Sequence, residues 1–301
     1  MNQGKDLLER KPLVDEYLQK TPRGLSSFSF VNIFIWQGHF DFRFEKKGDN
    51  LCVFAENDLG VFLYLPPLGR DISGEAIVSC FADMRRRNKG SGVSRIENVA
   101  EGQSPHFPEA RFEHYRKGDE YCYCRRDLVG VKGRDLKSKR NAYNHFVKNY
   151  AGHYLPYETA MAAECVVLYD RWVESKRLSG ADEIYAQMLE DNRGVHRLTL
   201  DYFKELDLVG RVVVVDGRIA AYTFGYFLND EMFCVLHEIA DLDCKGLAGF
   251  IFREFCADPE LRGVKFINVM DDFAMDKVAQ TKLSYRPALL LPVYVITERN
   301  D

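Results

Sequence analysis

The segment Arg211-Val212-Val213-Val214-Val215-Asp216-Gly217-Arg218-Ile219-Ala220-Ala221-Tyr222-Thr223-Phe224-Gly225 constrains the fold more than any other. Asp-Gly between two apolar runs is the signature of a two-residue type I′ turn, in which both central residues take positive φ. An antiparallel hairpin is therefore expected in the second half of the chain. Around it the hydrophobic period switches repeatedly between 3.6 and 2. Before it, 157–177 reads as a helix burying Met161, Cys165, Val166, Tyr169 and Trp172, and 181–190 as another. After it come a strand over 231–239, a helix over 249–256, a buried strand over 263–269, a helix over 276–283 and a final strand over 289–298.

The first half carries the same grammar more weakly. An apolar block, 28–36, reads as the opening strand. Residues 51–54 and 61–65 flank Glu56-Asn57-Asp58-Leu59-Gly60 as a hairpin. A helix over 74–87 ends in Asn88-Lys89-Gly90-Ser91-Gly92, a loop signal. A short strand near 94–99, a loop with Pro105 and Pro108, a short helix and a strand over 120–131 follow. A basic block then opens a helix running to about Tyr150, whose Tyr143, Phe146, Val147 and Tyr150 form one apolar stripe. Ala151-Gly152 ends that helix. A domain boundary is expected there, giving domains 1–151 and 152–301, a division that suits 301 residues.

Composition excludes several classes. With 46% apolar and 13% aromatic residues the chain can bury a core and is not disordered. The net charge of −4 gives no global pull toward nucleic acid or anionic membrane. The charge is uneven, though. Residues 125–148 hold eight Lys or Arg against two Asp, a local +6, so the remainder carries −10. That asymmetry suggests a localised anion site. Residues 1–20 are charged throughout and lack a signal-peptide core, and no apolar run is long enough to span a bilayer, so a cytoplasmic protein is expected. Eight scattered cysteines without metal-ligand spacing read as reduced, mostly buried thiols, and no metal is expected.

Four places carry a resemblance to a known family: 30–36; the block 132–141 with Phe146; the hairpin 212–227; and 268–287 with Lys282-Leu283-Ser284-Tyr285. Together they resemble bacterial proteins related to the C-terminal catalytic domain of phosphatidylglycerol lysyltransferases. The resemblance spans nearly the whole chain. It implies an α+β fold of two tandem acetyltransferase-like (GNAT) domains, each a mixed sheet flanked by helices, like that of the Fem-type aminoacyltransferases. The chain departs from the family pattern where Val269-Met270 separate Asn268 from Asp271-Asp272, and again over 276–281.

The same fold implies where chemistry would sit. The turn Asp243-Cys244-Lys245-Gly246-Leu247-Ala248-Gly249 would offer backbone N–H groups and a helix N-terminus to a phosphate, with Lys245, Gly246, Leu247, Gly249 and Lys282 as co-substrate contacts. A solvated loop, whose glycines serve only the turn, is the alternative. Transfer to an amine needs a proton acceptor and a donor for the leaving group. Glu238, Asp271 and Asp272 stand at strand ends as candidates for the first, and Tyr285 for the second. Each has a structural alternative: Glu238 pairing with Lys245, Asp271 capping the next helix, Tyr285 as a core aromatic. His237 reads as structural. Lys132, Lys137, Lys139 and Arg140 suggest phosphate contacts on tRNA or a headgroup, or simply a solvated helix face; no aromatic interleaving points to base reading.

The leading expectation is an acyltransferase that moves an amino acid from aminoacyl-tRNA to an amine, hydroxyl or lipid-headgroup acceptor, with no tightly bound cofactor. An acyl-CoA-dependent N-acyltransferase and a non-catalytic binding protein on the same fold are the alternatives.

Overall fold

The computed structural model describes residues 3–89, 92–178 and 183–299. The chain divides into two compact units. The first comprises Met1–Glu120, Asp271–Ala274 and Leu290–Asp301, and the second Tyr121–Met270 and Met275–Leu289. The boundary expected at residue 151 lies inside the second unit.

The first unit opens with helices α1 (Gln3–Leu8), α2 (Lys11–Lys20) and α3 (Phe30–Ile35). The apolar block expected as a strand is thus α3. All six of its residues are buried, so the run has no polar face to reveal a period, and Ser29 caps it by accepting from the Val31 amide at 3.0 Å. Strands β1 (Asp41–Lys47), β2 (Asn50–Asn57) and β3 (Gly60–Leu63) form an antiparallel meander. Its second hairpin is the expected one, tightened to Asp58-Leu59 by the Asn57↔Gly60 register. Helix α4 (Gly74–Asn88) then crosses to β4 (Ile96–Ala100), which runs parallel to β3 as a crossover permits. Ser73 caps α4, and buried Asn88 ends it by bonding the Val61 amide and carbonyl at 2.7 and 2.8 Å. The sheet is therefore mixed.

Strand β5 (Phe112–Cys124) is divided between the units at Glu120/Tyr121. It stops at Cys124 instead of reaching residue 131, because Arg125–Gly130 coils into helix α5, whose buried side chain is Leu128. Helix α6 (Lys137–Asn149), strand β6 (His153–Pro156), and helices α7 (Ala162–Leu178) and α8 (Glu183–Asp201) follow. Strand β6 and the length of α8 are not apparent in the pattern. The buried face of α7 is Cys165, Leu168, Tyr169 and Val173, rotated from the expected one. Strands β7 (Val209–Val215) and β8 (Arg218–Phe227) are the anticipated hairpin, with Asp216 and Gly217 at φ 50° and 76°. Strand β9 (Met232–Ala240), helix α9 (Leu247–Ala257), strand β10 (Phe266–Asn268), helix α10 (Asp276–Leu283) and strand β11 (Leu289–Glu298) complete the chain.

In the second unit β6, β7, β8 and β9 pair antiparallel, β9 and β10 parallel across α9, and β10 and β5 antiparallel. Helices α5, α6 and α9 pack together on one face and α7 on the other. Both units are mixed sheets flanked by helices, the α+β class expected. Among the described residues no helix is long and apolar enough to cross a membrane.

Candidate active site

Strand β9 decides which side chains can react. Phe233 and Val235 point into the core under α9, beside Phe252, Phe255 and Cys256. The register with β8 then slips. Val235 faces Gly225 and His237 faces Phe224, so Leu236 is an extra residue, a β-bulge. Beyond the bulge the alternation is inverted. His237 turns to the opposite face, where its ring stacks on His196 at 3.9 Å. Glu238 and Ala240 turn to the α9 side, Ala240 joining Leu247, Phe250 and Ile251. Without the bulge the carboxyl would lie under α7.

The partner strand ends before Glu238 is reached. Strand β10 pairs with β9 only as far as Asn268↔Cys234, so β9 runs on past that pair with no β10 neighbour. Glu238 therefore stands where the sheet parts. Its Oε2 is buried and has no hydrogen-bond partner. Burial disfavours the charged form and raises its pKa from 4.5 to about 8. No ion pair links it to Lys245. Its charge reaches Tyr285, whose hydroxyl is held protonated first by burial and then by the Glu238 and Cys256 charges.

Tyr285 is positioned by the Lys282–Tyr285 segment that closes α10. Its ring packs on Phe252 at 5.1 Å and Tyr123 at 6.2 Å, and Lys139 Nζ of α6 lies 4.1 Å above it. Burial lowers the Lys139 pKa. The Tyr123 hydroxyl donates to the Lys282 carbonyl at 2.9 Å. Lys282 Nζ in turn donates to the carbonyls of Val269 and Met270 at 2.6 and 3.2 Å. Asn268 Oδ1 accepts from the Met270 amide at 2.7 Å, holding Met270 at φ 62°. Lys282 thus ties the chain after β10 to the end of α10. It is anchored to backbone, at the position expected to contact a co-substrate.

The other expected contacts scatter. Gly246, at φ 90°, begins α9, but a Cβ there would sit 2.2 Å from the Ala142 carbonyl oxygen of α6. The close approach it permits is taken up by α6, whose Phe146 meets Phe250 at 4.6 Å; Gly249 faces the Ala142 methyl. The Lys245 amide donates to the Tyr150 hydroxyl at 3.3 Å and the Leu247 amide to the Cys244 carbonyl at 3.0 Å. With those of Asp243 and Cys244, which donate to Asp241, four amides of the turn are already engaged. Arg140 donates to the Val131 and Gly133 carbonyls at 2.7 and 3.2 Å, closing the loop before α6, while Lys132 and Lys137 are exposed. Asp271 and Asp272 fall in the first unit, where Asp272 Oδ1 accepts from the Ala274 amide at 3.0 Å. The N-cap position of α10 is Met275, not Asp271, and it makes no side-chain cap bond.

Behind the sheet, the buried His196 and the half-buried His237 are both held neutral by desolvation of their rings, His237 down to about 3. Thr199 donates to the Val195 carbonyl, so its hydroxyl oxygen accepts from His237 Nε2 at 3.1 Å. His237 is thus stacked and hydrogen-bonded on the face of β9 away from Glu238. Cys256 and Tyr123, which frame the Glu238–Tyr285 pair, gave no chemical signal; the i, i+3, i+4 spacing of Phe252, Phe255 and Cys256 reads only as core.

The family model described as phosphatidylglycerol lysyltransferase, C-terminal, matches residues 19–297. No curated protein matches the chain. Among solved structures, a conserved protein of unknown function from Bacteroides thetaiotaomicron is similar with a TM-score of 0.84 at 25% identity over 97% of each chain. L-PGS from Bacillus licheniformis is similar with a TM-score of 0.69 at 14% identity, covering 96% of this chain and 92% of that one. FemX has a TM-score of 0.61 at 9% identity over 94% and 95%. The last two are likenesses of fold.

Proposed function

The chain belongs to the phosphatidylglycerol lysyltransferase C-terminal family, and on that premise we propose that it transfers an aminoacyl group from aminoacyl-tRNA to an amine or hydroxyl acceptor, with Glu238 and Tyr285 handling the protons. The observation that carries this reading is a half-buried glutamate with one buried, unpartnered carboxyl oxygen, whose charge reaches the partly buried Tyr285, where β9 outruns β10. Perturbed carboxyls of this kind concentrate at reactive sites.

In the proposed reaction the acceptor attacks the ester carbonyl of the aminoacyl group and its proton passes to the Glu238 carboxylate. The C–O bond to the terminal ribose breaks, and the leaving oxygen takes the Tyr285 proton. Proton return from Glu238 to the phenolate restores both groups, so no proton is left over. A base with a pKa of about 8 is matched to this work near neutral pH. Lys139 over the Tyr285 ring favours the transient phenolate. Exposed Arg126, Lys132, Arg134 and Lys137 would meet tRNA phosphates. The acceptor, a small amine, a hydroxyl or a lipid headgroup, is part of the proposal. The acyl-CoA alternative draws less support, because α6 occupies the approach to the α9 N-terminus that a CoA phosphate would need.

The test is transfer from radiolabelled aminoacyl-tRNA to a panel of amines, alcohols and headgroup alcohols. Activity should rise with pH toward about 8, and Glu238→Gln should lower kcat by roughly 10²- to 10⁴-fold and flatten that rise. Tyr285→Phe should lower kcat with little change in KM. Wild-type kinetics from Glu238→Gln would refute the assignment. No transfer to any acceptor, with aminoacyl-tRNA still bound, would favour the binding-protein reading.

A further inference from the structure

A recess of about 320 Å³ in the first unit is lined by Thr21, Arg23, Arg70, Ile72, Gln103 and His106, with Pro22, Ala100 and three glycines filling in. It lies outside the Glu238–Tyr285 site, and every one of its residues belongs to the first unit. Two guanidiniums and an imidazole line it without a single carboxylate, in a chain whose net charge is −4. Guanidinium groups present paired donors matched to carboxylate and phosphate oxygens. Pro22, Ile72 and Ala100 supply an apolar wall.

The recess is pre-formed. The Thr21 hydroxyl donates to the Tyr17 carbonyl and accepts from the Gly69 amide, both at 2.8 Å, so the end of α2 is tied to the loop that carries Arg70. Buried Asn50 fixes the same loop, donating to the Leu68 and Asp71 carbonyls at 3.3 and 2.8 Å and accepting from the Ser73 amide at 3.1 Å. Walls held in this way lose little freedom when a ligand enters. Arg70 is exposed and makes no ion pair among the described residues.

One buried group is left without a partner. Gln103 is 6% exposed; its Oε1 accepts from the Ala100 amide at 3.1 Å, but its Nε2 is buried with no acceptor. A buried N–H with no acceptor is unfavourable, and such orphans in native proteins call for an explanation. The nitrogen is sealed from solvent, so it lies behind the wall of the recess and not at its surface.

We propose that this recess binds a small organic oxyanion, a carboxylate or phosphate on an apolar body of about six carbons, held by Arg23, Arg70 and His106. The volume agrees: a cavity of roughly 150 Å³ holds a benzene ring, and the remainder admits the charged group. The site stands independently of the transferase reading.

Titration calorimetry on the full chain tests it, with phenyl phosphate, benzoate and the neutral benzyl alcohol as probes. At least one anion should bind saturably, more weakly as salt rises, and the alcohol should not. Arg70→Gln, at an exposed position, should raise Kd at least tenfold. Gln103→Glu keeps the bond to the Ala100 amide while adding a negative charge to the lining; it should weaken binding of either anion. Should Gln103→Glu fail to fold, Arg70→Gln still decides. Absence of binding by both anions, equal affinity for benzyl alcohol, or a Kd unchanged in Arg70→Gln would each overturn the proposal.

Discussion

Replacing Glu238 by glutamine should make the second unit more stable at alkaline pH, because the native site holds a carboxyl it cannot comfortably ionise. In the unfolded chain this group ionises near 4.5; in the folded protein it keeps its proton to about 8. Between those values the native state binds more protons than the unfolded one, so wild-type stability falls as pH rises. At about 1.4 kcal/mol per pH decade the full interval comes to roughly 5 kcal/mol, a ceiling that relaxation around the charge reduces to about 2–4 kcal/mol. Glutamine does not titrate and lacks this loss. Urea unfolding of wild type and Glu238→Gln at pH 5, 6.5, 8 and 9 measures the difference. The chain has two tryptophans, Trp36 in the first unit and Trp172 in the second, so a Trp36→Phe background makes fluorescence report on the second unit. The variant should gain steadily from pH 5 to 8 and no further beyond 9. Parallel curves across the range would refute the burial of the Glu238 carboxyl and, with it, the basis for a proton acceptor there.

Two further outcomes use the same assay. Gly246→Ala should destabilise the second unit by roughly 3 kcal/mol, since a left-handed φ costs a Cβ-bearing residue about 1–2 kcal/mol and the overlap with the Ala142 carbonyl adds a similar amount; a loss under about 0.5 kcal/mol would mean that α6 does not seat on the α9 N-terminus. His237 has the opposite sign to Glu238. Held neutral down to about 3 by burial, it lowers stability as pH falls below its ordinary 6.5, by about 3 kcal/mol per two decades at most, so His237→Phe should give a flatter curve than wild type between pH 6.5 and 4.5.

How much of this was legible in the chain follows from how local each cause is. The β7–β8 hairpin rests on Asp216-Gly217, two adjacent residues, and could be placed to within two residues. Helix α4 has a Ser73 cap and a loop signal after it, and was equally plain. Helix α3 was not, because a segment buried on every side has no period to read. The glycines before α9 show a subtler failure. A glycine at positive φ answers equally to a phosphate and to a neighbouring helix, and only tertiary packing reveals that Ala142 is the occupant. Gln103 sits in the same class: nothing in a Glu-Gly-Gln-Ser-Pro-His run announces that one amide nitrogen will be buried without an acceptor.

The candidate site itself turns on a single inserted residue. Adjacent residues of a strand face opposite sides, so His237 and Glu238 had to diverge; sequence fixes that they separate but not which goes where. Counting forward from Phe233 and Val235, an unbroken strand would send His237 to the α9 side and bury Glu238 against α7. The bulge at Leu236 reverses this. It sends the imidazole to His196 and Thr199, where a neutral ring can be satisfied, and the carboxyl to the place where β10 has ended and Tyr285 arrives. Bulges bend strands and re-aim side chains, and they gather beside active sites for that reason. Deleting Leu236 should therefore exchange the two environments. Such a variant would bury a carboxyl against an aromatic cluster and an imidazole beside Cys256, and would lose both the stability profile and the chemistry proposed for Glu238 in one step.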